Sequence, residues 1–236
     1  MFDIIKKTEY WDALNNKQVF QKLDGFTIKA LDGLKHIQDA WMLNQLNSTN
    51  NSKVLEIGGA NSRVLPALQG NNEKWNLDEF KGAGNGPLEI NNIDDVKLVR
   101  RNLGEFSVEL PDNYFDLVFS ISVIEHIPEK YQDSFWKDHA RIMKPGAIGV
   151  HVIDLYLKDQ ANPDLDRKVE LYKSLAAKHG LRLSKPSTIR YPVVFRCDMA
   201  SNSDWGMWRW NIISPALLET RKISQSVSLA MTVIKE

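Results

Sequence analysis

The chain has 236 residues, 43% of them hydrophobic, enough for one large domain with a well-buried core. Its 30 basic and 30 acidic side chains cancel, which excludes a broad positive field of the kind that holds a long nucleic acid. The single cysteine, Cys197, excludes an internal disulfide, and no apolar run reaches the roughly 20 residues that span a bilayer. The opening MFDIIKKTEY lacks the apolar centre of a secretory signal, so a reducing, cytoplasmic setting is the expectation.

From Met1 to about Asn50 apolar residues recur at helical spacing: Tyr10, Trp11 and Leu14, then Ile28, Leu31, Leu34, Ile37 and Trp41. Asp24-Gly25 interrupts the pattern and the polar run 47–52 closes it, predicting a helical arm over 1–50 that covers core surface or forms a lid over a cleft. Residues 54–57 read as a buried strand and 62–68 as a short helix, which Pro66 makes start late or kink. Strands are predicted at 74–77, 97–101 and 114–120, with the glycine-rich KGAGNGP (81–87) as a loop. A helix over 129–143, a Lys144-Pro145-Gly146 turn, a strand over 147–153 and a helix over 165–179 stopped by Gly180 follow. The last strands are predicted at 181–183 and 228–234. Strands alternating with helices across 51–236 argue for an α/β, doubly wound, mostly parallel sheet.

In such a sheet a ligand sits outside the carboxyl ends of the strands. That rule converges the segment 58–62, Asp78-Glu79, Glu105-Phe106, the segment 120–126 and Asp154 on one crevice. The run KVLEIGGANSR (53–63), the acidic pair at 78–79, FDLVFSISVIEHIP from Phe115 and RIMKPGAIGVHVID from Arg141 together resemble the class I S-adenosylmethionine-dependent methyltransferases. The resemblance covers about 51–236 and is clearest over 53–154. It implies a Rossmann-like sheet of seven strands, the last antiparallel, with S-adenosylmethionine as cofactor.

The resemblance also implies roles. Gly58, Gly59, Ala60 and Ser62 would pass under the methionine part of the cofactor, with Glu56 positioning its ammonium group. Asp78, with Glu79 beside it, would accept from the ribose hydroxyls. Glu105 and Phe106 would bracket the adenine, and Ser120, Ile121 and Ser122 would lie beneath the sulfonium. The family's second and third glycine places hold Ala60 and Ser62 here: alanine narrows the turn by a methyl group, and Ser62 could bind the cofactor carboxylate or cap the helix. A nicotinamide-binding fold is the competitor, but it wants glycine where Arg63 stands.

His126 and Asp154 are the candidate bases, His126 because imidazole titrates near neutral pH. The alternative for His126 is a brace for the following turn, and His36, His139, His151 and His179 read as structural or exposed. No metal-binding set of the catechol type can be placed, and the motif of amino-methylating DNA enzymes is absent after the fourth strand. An aromatic-rich insertion at about 186–227 carries DWGMWRWN, and because strand directions bring it to the ligand edge, Trp205, Trp208, Arg209 and Trp210 suit a sugar or flat small-molecule acceptor. Packing onto the core and a homodimer interface are the other readings of these residues. The expected activity is methyl transfer to a small molecule or carbohydrate at oxygen. A protein methyltransferase and a non-catalytic interaction protein on the same scaffold are the alternatives.

Overall fold

The computed structural model describes residues 1–16, 34–82, 93–194 and 224–236. One sheet is built from β1 (Phe2–Ile4), β2 (Lys53–Ile57), β3 (Glu73–Leu77), β4 (Val96–Val99), β5 (Phe115–Ile121), β6 (Met143–Lys158), β7 (Leu181–Leu183) and β8 (Ser224–Lys235). The helices are α1 (Lys7–Asn15), α2 (Leu34–Gln45), the single turn α3 (Val64–Ala67), α4 (Glu129–Ile142) and α5 (Pro163–Lys178). Strand order is β1-β8-β6-β5-β2-β3-β4, with β7 also paired to β8. The pairs from β4 to β6 are parallel, and β8 runs antiparallel to β6, β1 and β7. This is the doubly wound, mostly parallel sheet that the alternating pattern predicts, in the Rossmann-like form that the resemblance implies, with β1 added at its edge. Among the described residues no helix is long and apolar enough to cross a membrane.

Two elements differ from the sequence reading. The arm expected to be helical from Met1 begins instead with β1, which pairs Phe2 with Met231 and Ile4 with Leu229. The reason is a free edge: β7 covers only residues 233–235 of β8, and β1 satisfies the backbone groups alongside it. The expected strand over 147–153 is longer at both ends: it starts at Met143, paired with Phe115 of β5, so the expected Lys144-Pro145-Gly146 turn lies within it, and β6 and β8 remain paired to Lys158 and Ser224. Asp154, expected to leave the strand, therefore lies inside it, opposite Ser228.

Alternation along the strands divides the core into two faces. Val54, Leu117, Phe119, Val150 and Val152 pack with Ala13 of α1 and with Ala40, Trp41 and Leu43 of α2. Leu55, Ile57, Val118 and Ile153 pack on the opposite face with Phe135 and Trp136 of α4 and Val169 and Tyr172 of α5. The helices carry their own start and stop signals. Asn162 accepts from the Asp164 and Leu165 amides ahead of α5, Pro163 occupies its first turn, and Gly180 follows its end at φ 75°. α4 buries Gln132, Phe135, Trp136, His139 and Ala140, a three-four repeat that puts one stripe on the sheet.

That stripe carries His139 against His151 of β6, their rings 4.9 Å apart and both fully buried. Burial pushes His139 down to about 3, and pushes His151 well below the usual imidazole range with His139 adding to it. Neutral in the folded protein, both take up a proton on unfolding below the ordinary value of 6.5, so this contribution is complete above it and is lost as pH falls toward 3. His139→Phe is expected to remove one share, so thermal melts show the variant gaining stability relative to the wild type as pH falls from 7 to about 5.

Candidate functional site

At the carboxyl end of β2 the chain turns at Gly58, with φ 64° and its amide bonded to the Leu77 carbonyl at 2.7 Å. A Cβ on Gly58 would stand 2.5 Å from Val123, and one on Gly59 2.5 Å from the Asn76 carboxamide oxygen and 2.9 Å from the Glu56 side chain. Both positions need glycine because the backbone passes through a space one methyl group would fill. Ala60 stands in the left-handed region at φ 47°, a conformation that costs an L-residue about 1–2 kcal/mol. Two bonds hold it there: its amide donates to Asp78 Oδ2 at 2.9 Å, and its carbonyl accepts from Asn76 Nδ2 at 2.8 Å. Ala60 thus takes up the geometry of the glycine it replaces. Ser62 does two things at once, donating its hydroxyl to Glu56 Oε2 and accepting the Leu65 amide at 3.0 Å in the first turn of α3.

The acids divide by environment. Burial pushes Glu56 up to about 8, with the nearby charges of Asp39 and Asp78 adding to the rise. Asp78 accepts the Ala60 and Phe80 amides, one on each oxygen, so its carboxylate faces the glycine turn. Glu79 accepts from Asn102 at 2.9 Å, and that bond leads the causes that hold its pKa below the usual range. Asn102 also donates to Glu105 at 3.1 Å, which brings Glu79 and Glu105 to one rim beyond β3 and β4. The loop behind them is anchored from α4, where Asp138 accepts the Gly104 and Phe106 amides at 2.7 and 3.1 Å. Phe106 presents a half-exposed ring at φ 54°. Asn76, inside β3, and Asn102, just beyond β4, carry no motif that the sequence reading could single out, yet they tie the turn and the rim together.

Beyond β5 the structure separates three residues that the sequence groups. Ser120 is fully buried and its hydroxyl meets His151 Nδ1 at 2.8 Å, so the side chain points into the core rather than the crevice. Ile121 lines the cleft. Ser122 turns at φ 53°, tied to the Val152 carbonyl at 2.8 Å. His126 ends a short 3-10 turn and is half exposed, its Nε2 3.8 Å from Glu125 Oε1. Glu125 is buried, which pushes it up to about 7, the neighbouring Asp154 charge contributing.

Asp154 is held by Gln38, a fully buried residue of α2 that donates to Asp154 Oδ1 and to Ser228 Oγ at 2.7 Å. The Ser122 hydroxyl reaches the Gln38 oxygen at 3.4 Å, a long contact. On the next residue, Asp39 forms an ion pair with Arg63, just past the glycine turn. Trp205, Trp208, Arg209 and Trp210 lie outside the described residues. The insertion's first part is described: Tyr191 donates to Glu170 at 2.8 Å and the Val193 amide to Asp166 at 2.8 Å, leading the chain along α5 toward its amino end.

These groups enclose a cleft of about 440 Å³, walled by Lys35 and Asp39 of α2, Glu56, the turn 58–63 and Ile121. The cradle that two Cβ atoms would fill and the acid at its floor fit the amino-acid end of S-adenosylmethionine. Asp78 and Glu79 stand one strand over, at the carboxyl end of β3. Residues 77–150 match a family model described as a methyltransferase domain. No curated protein matches the sequence. Among solved structures, the chain is similar to a putative sarcosine dimethylglycine methyltransferase from Galdieria sulphuraria, at 15% identity and TM-score 0.54 over 98% of this chain and 99% of that one. It is also similar to geranyl diphosphate C-methyltransferase from Streptomyces coelicolor A3(2), at 12% identity and TM-score 0.56 over 100% and 90%. Phosphoethanolamine N-methyltransferase 2 from Haemonchus contortus gives 14% identity and TM-score 0.55 over 96% and 60%. Residues 77–150 carry the match to a methyltransferase domain, of the kind that uses S-adenosylmethionine, and the sheet shares the Rossmann-like fold of these neighbours.

Proposed function

We propose that the enzyme methylates a small-molecule or carbohydrate acceptor at oxygen, with Asp154 receiving the acceptor's proton. The observation that carries this reading is the fixed carboxylate on β6, beside the end of β5: Gln38 holds Asp154 and lies within 3.4 Å of Ser122, which follows the strand end expected beneath the sulfonium. S-adenosylmethionine supplies an electrophilic methyl group for in-line displacement. The chain's own work is to align the acceptor oxygen and take its proton. Asp154 suits the second task better than His126, whose ring is half exposed. The neighbours named for sarcosine and dimethylglycine, phosphoethanolamine and geranyl diphosphate favour a small acceptor over a polypeptide.

Residues 1–50 act in this reading as an arm that walls the cleft through α2, and 51–236 form the transferase domain. Ala60 and Ser62 both take part in the bonds that hold the turn, which favours a working cofactor site over a non-catalytic scaffold. The test is a screen of sugars, phenols and amines with labelled S-adenosylmethionine. Asp154→Asn is expected to lower turnover by about 10²–10⁴ while leaving S-adenosylhomocysteine affinity unchanged. Full turnover in that variant, or a product methylated at nitrogen or carbon, contradicts the proposal.

A further inference from the structure

The cleft at the glycine turn is lined by two acids, Asp39 and Glu56, and two cations, Lys35 and Arg63. A zwitterionic ligand end needs one partner of each sign. Glu56 is the buried acid at the floor of the cleft and serves the ammonium group. For the carboxylate, Ser62 is the residue the sequence offered, but its hydroxyl is already spent between Glu56 and the Leu65 amide. Arg63 is paired with Asp39. Lys35 is exposed at the rim and sits one helical turn before Asp39, so the two project from the same side of α2.

We propose that Lys35 binds the carboxylate of the cofactor's amino-acid end, opposite Glu56, so that α2 holds the cofactor by a direct ion pair. The proposal rests on the cofactor reading of this cleft and adds a residue outside the strand-end loops to it. Two ligands separate the claims: S-adenosylhomocysteine carries the amino-acid end, and 5′-methylthioadenosine has the same nucleoside and sulfide without it. Calorimetric titration of the full chain with each ligand should show Lys35→Met weakening S-adenosylhomocysteine on the order of tenfold, the scale of one charge-assisted hydrogen bond. Methylthioadenosine affinity should be unchanged, and Lys35→Arg should restore most of the loss. Equal affinity of Lys35→Met and wild type for S-adenosylhomocysteine, or equal weakening of both ligands, overturns the assignment. If the wild type binds neither ligand, the cofactor reading falls and the lysine's role falls with it.

Discussion

Gly59→Ala is expected to weaken S-adenosylhomocysteine binding by on the order of 100-fold, measured by calorimetry on protein that still melts cooperatively. The added methyl group would sit 2.5 Å from Asn76 Oδ1 and 2.9 Å from both Cγ and Cδ of Glu56. Neither side chain is free to give way. Asn76 is buried and holds the Ala60 carbonyl, and Glu56 is buried with Ser62 bonded to its carboxyl group. Displacing them moves the acid that meets the ammonium group and releases Ala60 from its left-handed conformation. Overpacking of this kind costs about 1–3 kcal/mol of stability as well, a loss the thermal melt reads separately. Wild-type affinity in this variant would mean the ligand does not approach the turn.

Cofactor binding is expected to release about one proton at neutral pH and to strengthen by up to about tenfold per pH unit between pH 6 and about pH 8. The cause is Glu56, held protonated in the free protein by a pKa pushed up to about 8. An arriving ammonium group favours the ionised carboxylate, so the complex holds one proton fewer than the separated partners. The bound state therefore gains on the free one as pH rises, until Glu56 ionises unaided. Titrations in buffers of different ionisation enthalpy measure the proton count directly, and Glu56→Gln should remove both the release and the slope. The same residue, with Glu125 at about 7, takes up protons in the folded state below those values, opposing the acid loss from the histidine pair; the His139→Phe comparison isolates the imidazole share.

Most of the sheet was legible because strand positions depend on local apolar runs and on turn residues that need particular backbone angles. Residues 181–183 agree with β7 in full, and the ends of α4 and α5 fall within one or two residues of the expected helices. What pattern could not supply was pairing. β1 exists because a short β7 leaves an edge of β8 open, a fact about strands at the other end of the sequence, and the length of β6 depends on β8 in the same way. The cofactor edge was readable to the level of loops, since each strand end delivers its residues there. Side-chain direction was not: Ser120 and Ser122 share a motif, yet one bonds His151 in the core and the other turns toward Gln38. Gln38 and Asp39 carried no motif at all. Only the packing of α2 on the sheet brings them to Asp154 and Arg63.

The central claim is that the cleft at the glycine turn holds S-adenosylmethionine. Its most direct test is calorimetric titration of the purified chain with S-adenosylmethionine and S-adenosylhomocysteine. The account predicts one site per chain with micromolar affinity for both ligands; no detectable binding of either would contradict it.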